Sequence, residues 1–151
     1  MINKIDISSL YSQSSPKRDK VDEILFSSAC DLGFIKIYGI PNGVIKNNFL
    51  KNLLRIFDLP EKNKRKLYRW NFEKSNSNVY RGWFPLQNGL ATYKEGIDIG
   101  SDLIRNTKHD FSDPLTEPSP LPPNRILPGW RDKAKLYYET MELTGMVLMR
   151  S

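Results

Sequence analysis

The chain has 151 residues, enough for one domain with a hydrophobic core and too few to require a second. A single cysteine excludes an internal disulfide and agrees with a reducing compartment, so we expect a cytoplasmic protein. No apolar run approaches the length of a membrane span, and the N-terminal segment MINKIDISSL lacks the apolar centre of a secretory signal. We therefore expect no association with a membrane.

The formal net charge of +6 raises the question of a nucleic-acid partner. Basic residues cluster at positions 17–20 and 62–66, but acidic residues dilute both: Asp19 lies within the first cluster and Glu61 directly precedes the second. A phosphate-binding surface needs its charges on one face, usually beside stacking aromatic side chains. We interpret the clusters as solvated faces, which disfavours nucleic acid as a partner.

The first part of the chain predicts a strand, a helix and a second strand. Residues 2–7 alternate isoleucine with polar side chains, which is typical of a short strand. A helix is predicted over residues 17–30, ended by Gly33, and it places Cys30 as a buried structural thiol. Residues 34–38 predict the second strand. The apolar stripe of the helix consists of Val21, Ile24, Leu25, Ser28 and Ala29.

Two further helices are predicted before a long loop. The second covers residues 44–57, and the third covers residues 61–67 after Pro60. Residues 70–92 are predicted as a loop, and residues 94–99 as a strand. The apolar stripe of the second helix consists of Ile45, Phe49, Leu50, Leu53, Leu54 and Phe57.

Residues 112–127 are rich in proline and predict an extended linker, because proline favours extended backbone over helix. A long amphipathic helix is predicted over residues 128–150. Its apolar surface exceeds what one helix face needs, and such a surplus usually marks an interface. The predicted stripe consists of Trp130, Ala134, Tyr137, Tyr138, Met141, Gly145 and Leu148.

The most informative segment is residues 78–100, which reads NVYRGWFPLQNGLATYKEGIDIG. It mixes aromatic and charged side chains with glycines, which let the backbone turn and approach a ligand closely. The guanidinium of Arg81 offers a planar fork for a carboxylate. Two interpretations stay open: a small-molecule recognition surface, or an ordinary aromatic-rich loop packed over a core.

Four short motifs occur in order along the chain: ACDLGFIKIYGI at residues 29–40, FDLPEKNK at 57–64, YRGW at 80–83 and KEG at 94–96. Together with residues 2–7, they resemble the N-terminal region of the isopenicillin N synthase-like family. Its members are non-haem iron oxygenases, most of them dependent on 2-oxoglutarate. The resemblance extends over nearly the whole chain, to about residue 150.

The resemblance implies an α+β fold in which helices pack on a few short strands. This would be the N-terminal part of a double-stranded β-helix oxygenase fold, without its jelly-roll portion. The implied organisation is an N-terminal dioxygenase-like domain over residues 1–111, the proline-rich linker over residues 112–127, and a helix leading into the barrel over residues 128–151.

For function, the resemblance implies the substrate-pocket portion of an oxidoreductase that uses iron(II) and 2-oxoglutarate in its complete form. Arg81 is the best match to a family residue that contacts substrate, and Trp83 and Phe84 would supply apolar walls. Arg81 indicates a small-molecule substrate with an anionic group. Lys94 and Glu95 match a Lys-Glu pair of the family, which either forms an ion pair in the hairpin or contacts substrate.

The chain is not expected to be catalytically competent alone. Iron(II) in such oxygenases is held by two histidines and one carboxylate, and the only histidine here is His109, followed directly by Asp110. We therefore expect no catalytic residue and no metal ligand in this chain, no cofactor bound by it alone, and a barrel in the same or a separate chain as its partner. Whether it forms part of an enzyme stays open, because a truncated module that binds a ligand or a protein is the alternative, with RNA binding ranked last.

Overall fold

The computed structural model describes residues 2, 4–87 and 94–151. Within these ranges the fold is α+β, with four α-helices and two sheets of two short strands each. In chain order the elements are β1 (Lys4–Asp6), α1 (Pro16–Leu32), β2 (Lys36–Tyr38), α2 (Asn47–Leu54), α3 (Glu61–Lys64), β3 (Gly82–Phe84), β4 (Gly96–Asp98) and α4 (Trp130–Leu148). The predicted fold class is confirmed in this coarse form. No helix among the described residues has both the length and the apolarity to cross a membrane.

The chain forms two compact units. One comprises Met1–Lys46 with Glu139–Ser151, and the other comprises Asn47–Tyr138. The predicted domain boundaries at residues 111 and 127 stay a prediction.

The first unit is built on the parallel pair β1–β2, in which Ile5 lies opposite Ile37. Tyr11 and Asn42 reach the C-terminal helix through hydrogen bonds, at 2.8 Å to the hydroxyl of Thr144 and 2.9 Å to the hydroxyl of Thr140. Both threonines are buried. These bonds satisfy polar groups that would otherwise be costly to bury. The apolar core of the unit consists of Ile5, Ile7, Leu10, Leu25 and Val147.

Helix α1 begins and ends where local chemistry requires. The Ser15 hydroxyl accepts a hydrogen bond from the Arg18 amide at 3.3 Å, and Gly33 ends the helix in a left-handed conformation, with φ of 72°. The predicted stripe is confirmed only in part: Leu25 is buried and Val21 packs partly buried against the core, whereas Ile24 and Ala29 are exposed. Cys30 is exposed, which also corrects the expectation of a buried thiol.

The second unit contains the antiparallel pair β3–β4, with Trp83 opposite Ile97. Strand β3 lies inside the segment predicted as a loop, so that prediction is wrong for these three residues. Gly82 has φ of 124°, and the Leu67 carbonyl lies 2.6 Å from where a Cβ on this glycine would be. The apolar core of the unit consists of Ile56, Leu59, Leu67, Tyr68, Trp83, Leu127, Trp130 and Ala134.

Helices α2 and α4 differ from their predicted patterns in what they bury. Helix α2 is shorter than predicted, and Ile56, which lies beyond its end and outside the predicted stripe, is buried, whereas Leu54 is exposed. Leu53 and Phe57 are partly buried against the core. In α4, the buried residues are Trp130, Ala134, Thr140, Thr144 and Val147.

Candidate functional site

The guanidinium of Arg81, at the entrance to β3, is buried inside the second unit. It donates to Oδ1 of Asp102 at 2.6 Å and also to the carbonyl oxygens of Leu115 and Glu117. The side chain of Arg81 is only 8% exposed and that of Asp102 is 19% exposed. The planar fork of arginine suits such convergent acceptors. The contacts described for Arg81 are therefore internal to the protein.

The carboxylate of Glu117 binds the backbone that leads into β3. Its carboxylate accepts hydrogen bonds from the amides of Val79, Tyr80 and Arg81 at 2.7, 3.0 and 3.1 Å. Burial acts to raise the pKa of the Glu117 carboxyl, but these amide donors and the nearby His109 outweigh it, so the pKa is lowered. The carboxylate form thus holds the chain just before β3 against the proline-rich segment.

Asp102 connects this network to Ser119. Its Oδ2 accepts from the Ser119 amide at 2.7 Å, and its Oδ1 accepts from the Ser119 hydroxyl at 2.7 Å. The Ser119 hydroxyl also accepts from the Gly100 amide at 2.9 Å. A side chain at Gly100 would collide with the Arg81 guanidinium. We call the set Arg81, Asp102, Glu117 and Ser119 the Arg81 network.

Trp83 follows two residues after Arg81 and is completely buried. Its ring lies 4.9 Å from that of Phe57, and the ammonium group of Lys64 lies 5.0 Å from the indole. The indole Nε1 has no hydrogen-bond partner among the described residues. Trp83 therefore contributes to the apolar core of the second unit, where its large side chain is shielded from water.

Phe84 differs from Trp83 because part of its ring stays accessible. The guanidinium of Arg69 lies 4.9 Å from the Phe84 ring and 5.8 Å from the ring of Tyr80, which is 48% exposed. Arg69 also forms an ion pair with Asp98 of β4. Burial lowers the pKa of the Arg69 guanidinium. We call the group Arg69, Tyr80, Phe84 and Asp98 the Phe84 surface.

The three predicted substrate-binding residues are thus consecutive or nearly so, but their surroundings differ. Arg81 and Trp83 are buried, and Phe84 is the most accessible of the three. Their contact with substrate stays a prediction. Sequence reasoning missed Arg69, Asp102 and Glu117, because their partners lie far away along the chain. The position of Glu117 did not single it out either, because the proline-rich segment contains a second acidic residue, Asp113.

Glu95, the acidic member of the predicted Lys-Glu pair, forms an ion pair with a residue of α3. Glu95 forms an ion pair with Lys64 at 3.3 Å, and the Lys64 ammonium also donates to the Phe57 carbonyl at 3.1 Å. The interaction links the segment before β4 to the end of α3. This contact explains why Lys64 is partly buried, whereas the sequence suggested a solvated side chain.

His109 does not have the surroundings of an iron ligand. Its ring packs 4.4 Å from that of Phe111, and its Nδ1 lies 3.4 Å from the Thr116 hydroxyl. Across the part of the chain that is described, no group of three or more His, Cys, Asp and Glu side chains is arranged to hold a metal. These residues do not fit an iron centre, and we derive no catalytic step at them.

The family comparison agrees with this architecture. The family described as "non-haem dioxygenase in morphine synthesis N-terminal" matches residues 2–124, which is most of the chain. The match extends from β1 through the Arg81 network and into the proline-rich segment. The chain therefore belongs to the family of non-haem dioxygenase N-terminal domains, and the predicted resemblance is confirmed. No individual curated protein matches the chain significantly.

Proposed function

We propose that this chain is the N-terminal, substrate-pocket portion of an iron(II)- and 2-oxoglutarate-dependent oxidoreductase. The match to the non-haem dioxygenase N-terminal family over residues 2–124 is the observation that carries the proposal. Iron is the metal that this family implies. A jelly-roll barrel, in the same or a separate chain, would supply the iron ligands and the 2-oxoglutarate site, and this chain would not be catalytically competent alone.

The residues around β3 support a division of roles within the proposed pocket. Phe84 and Tyr80 offer accessible aromatic surface beside the Arg69 guanidinium, whose charge is paired with Asp98, so this surface suits an apolar part of a substrate. Arg81 is held by internal acceptors, and Trp83 is buried beneath. We therefore assign substrate contact to Phe84, and to Arg81 and Trp83 the task of shaping the backbone that presents it.

The proposal is tested with the protein expressed from its own locus, together with any chain that co-purifies with it. The assay measures conversion of 2-oxoglutarate to succinate with added iron(II). We expect turnover only when a barrel is present that carries a His-x-Asp motif, a distant His and an Arg-x-Ser motif. A locus and a purified complex without these motifs and without turnover would contradict the proposal and favour a non-catalytic binding module.

A matched pair of variants tests the assignment of Phe84. In the active complex, Phe84→Ala is expected to raise the KM for substrate about tenfold while the KM for 2-oxoglutarate stays unchanged. Phe111→Ala is the control, because Phe111 is 93% exposed and belongs to neither the Arg81 network nor the Phe84 surface. Equal effects of the two variants would remove Phe84 from the pocket.

A further inference from the structure

A small cavity of about 110 Å³ lies between the end of α3 and the proline-rich segment, within the second unit. Five apolar side chains form most of its wall: Leu59, Leu67, Pro122, Pro123 and Ile126. An engineered apolar cavity of about 150 Å³ holds benzene, so this volume suits a short aliphatic chain. None of the three predicted substrate-binding residues lines it.

Two cationic side chains line this cavity. Lys66 belongs to the 3₁₀ turn after α3, and Arg125 belongs to the turn that follows Pro123. Both side chains are exposed, and neither makes an ion pair with another described residue. No carboxylate is among the described residues that line the cavity, whereas the amide of Asn63 is. The cavity thus joins an apolar wall to uncompensated positive charge.

The wall that carries Arg125 is held rigidly by hydrogen bonds. The guanidinium of Arg131 donates to the carbonyl oxygens of Pro122 and Leu121 at 2.8 and 2.9 Å. The amides of Ile126 and Leu127 donate to the Pro123 carbonyl at 2.8 and 3.2 Å. Because this wall is already ordered, a ligand would meet a largely pre-formed site and lose less free energy to ordering.

We propose that this cavity is a binding site for a small amphiphilic carboxylate, whose aliphatic tail enters the cavity and whose carboxylate lies between Lys66 and Arg125. The apolar wall selects for the tail, and the two cations select for the anionic head. A bare inorganic anion lacks the tail, and a neutral alcohol lacks the charge, so both bind more weakly. The site is separate from the proposed substrate pocket at Phe84 and does not depend on it.

The test is a titration of the full chain with hexanoate, in which NMR chemical shifts of the backbone amides report binding. We expect saturable shifts at Leu67, Arg125 and Ile126, with hexanol and inorganic phosphate each binding at least about tenfold more weakly. Lys66→Gln and Arg125→Gln should each raise the Kd for hexanoate about two- to fivefold, the range expected for one exposed ion pair. Lys62→Gln, an exposed cation on α3 outside the cavity lining, should leave it unchanged.

Two results would overturn the proposal. Equal affinities for hexanoate and hexanol would show that the cations do not recognise the head group. Equal affinities for hexanoate and phosphate would show a general anion site in which the apolar wall has no part. Thermal melts of each variant accompany the titration, because a change in folding would otherwise imitate a change in affinity.

Discussion

Asp102 accepts a hydrogen bond at 2.6 Å from the guanidinium of Arg81, which lies 21 residues earlier in the chain. The pair brings the start of β3 and the turn after β4 together where both side chains are largely shielded from water. A buried charge needs such a partner, because it has lost most of its hydration. This relationship makes Arg81 a residue that organises the hairpin.

Removing the carboxylate of Asp102 should therefore destabilise the folded protein. We expect Asp102→Ala to lower the free energy of unfolding by about 3 kcal/mol, since it leaves a buried guanidinium without its counter-charge and the Ser119 amide without its acceptor. Denaturant unfolding measures the change. Asp58→Ala is the control, because Asp58 is exposed, and it should alter stability by no more than about 0.5 kcal/mol. Similar values for the two variants would contradict a structural role for the Arg81 network.

Glu117 should make stability depend on pH. Its carboxyl has a pKa below the ordinary value of 4.5 in the folded protein, because three backbone amides donate to it. A group with a lowered folded pKa stabilises the protein above its unfolded pKa and loses that contribution as the pH falls through the folded value. We expect unfolding free energy to decline as the pH falls below about 4.5, and to decline less steeply in Glu117→Gln.

The measurement for Glu117 is a series of denaturant melts between neutral and acidic pH on both proteins. The comparison between them is needed because Asp6 also has a lowered pKa, caused first by the Ser8 amide, and contributes to acid sensitivity in the same direction. If the unfolding free energies of the two proteins fall in parallel with pH, Glu117 is not the cause of the acid sensitivity.

Lys64 should contribute more to stability than a solvated residue of a basic cluster would. Its ammonium group bonds the Phe57 carbonyl and Glu95 and lies over the Trp83 ring, with the side chain only 15% exposed. We expect Lys64→Ala to cost about 1–2 kcal/mol, because a charge-assisted hydrogen bond is lost. Lys62→Ala, on the same helix but exposed, should stay within about 0.5 kcal/mol. Thermal or denaturant melts that rank the two variants equally would refute this.

Two residues near the end of α2 test which side chains of this segment belong to the core. Ile56 is 1% exposed, whereas Leu54 is 56% exposed. Ile56→Ala should therefore destabilise the protein by about 2–5 kcal/mol through lost burial and the cavity it leaves. Leu54→Ala should cost no more than about 0.5 kcal/mol in the same assay. The reverse order would show that the predicted helical stripe, which contains Leu54 and omits Ile56, describes the core better.

Local chemistry made several elements readable from the sequence. Gly33 was expected to end the first helix, and it does so because glycine adopts a left-handed conformation without a Cβ penalty. Pro60 precedes α3, and the strand predicted over residues 94–99 contains β4. These features depend on the backbone preferences of a few neighbouring residues. The family resemblance followed from the order of short motifs along the chain, and the α+β class was what that resemblance implied.

Only the tertiary structure decided which side chains are buried and how they pair. Part of the informative segment, residues 88–93, lies outside the described residues, but on either side of it Arg81 finds Asp102 and Glu95 finds Lys64, across 21 and 31 residues. Nothing local favours these partners, because each contact depends on where distant segments meet and on how much water is excluded there. For the same reason a helical pattern placed Cys30 and Leu54 inside, whereas packing leaves both exposed. Periodicity shows which residues share a face of a helix, and only the packed chain determines which face is covered.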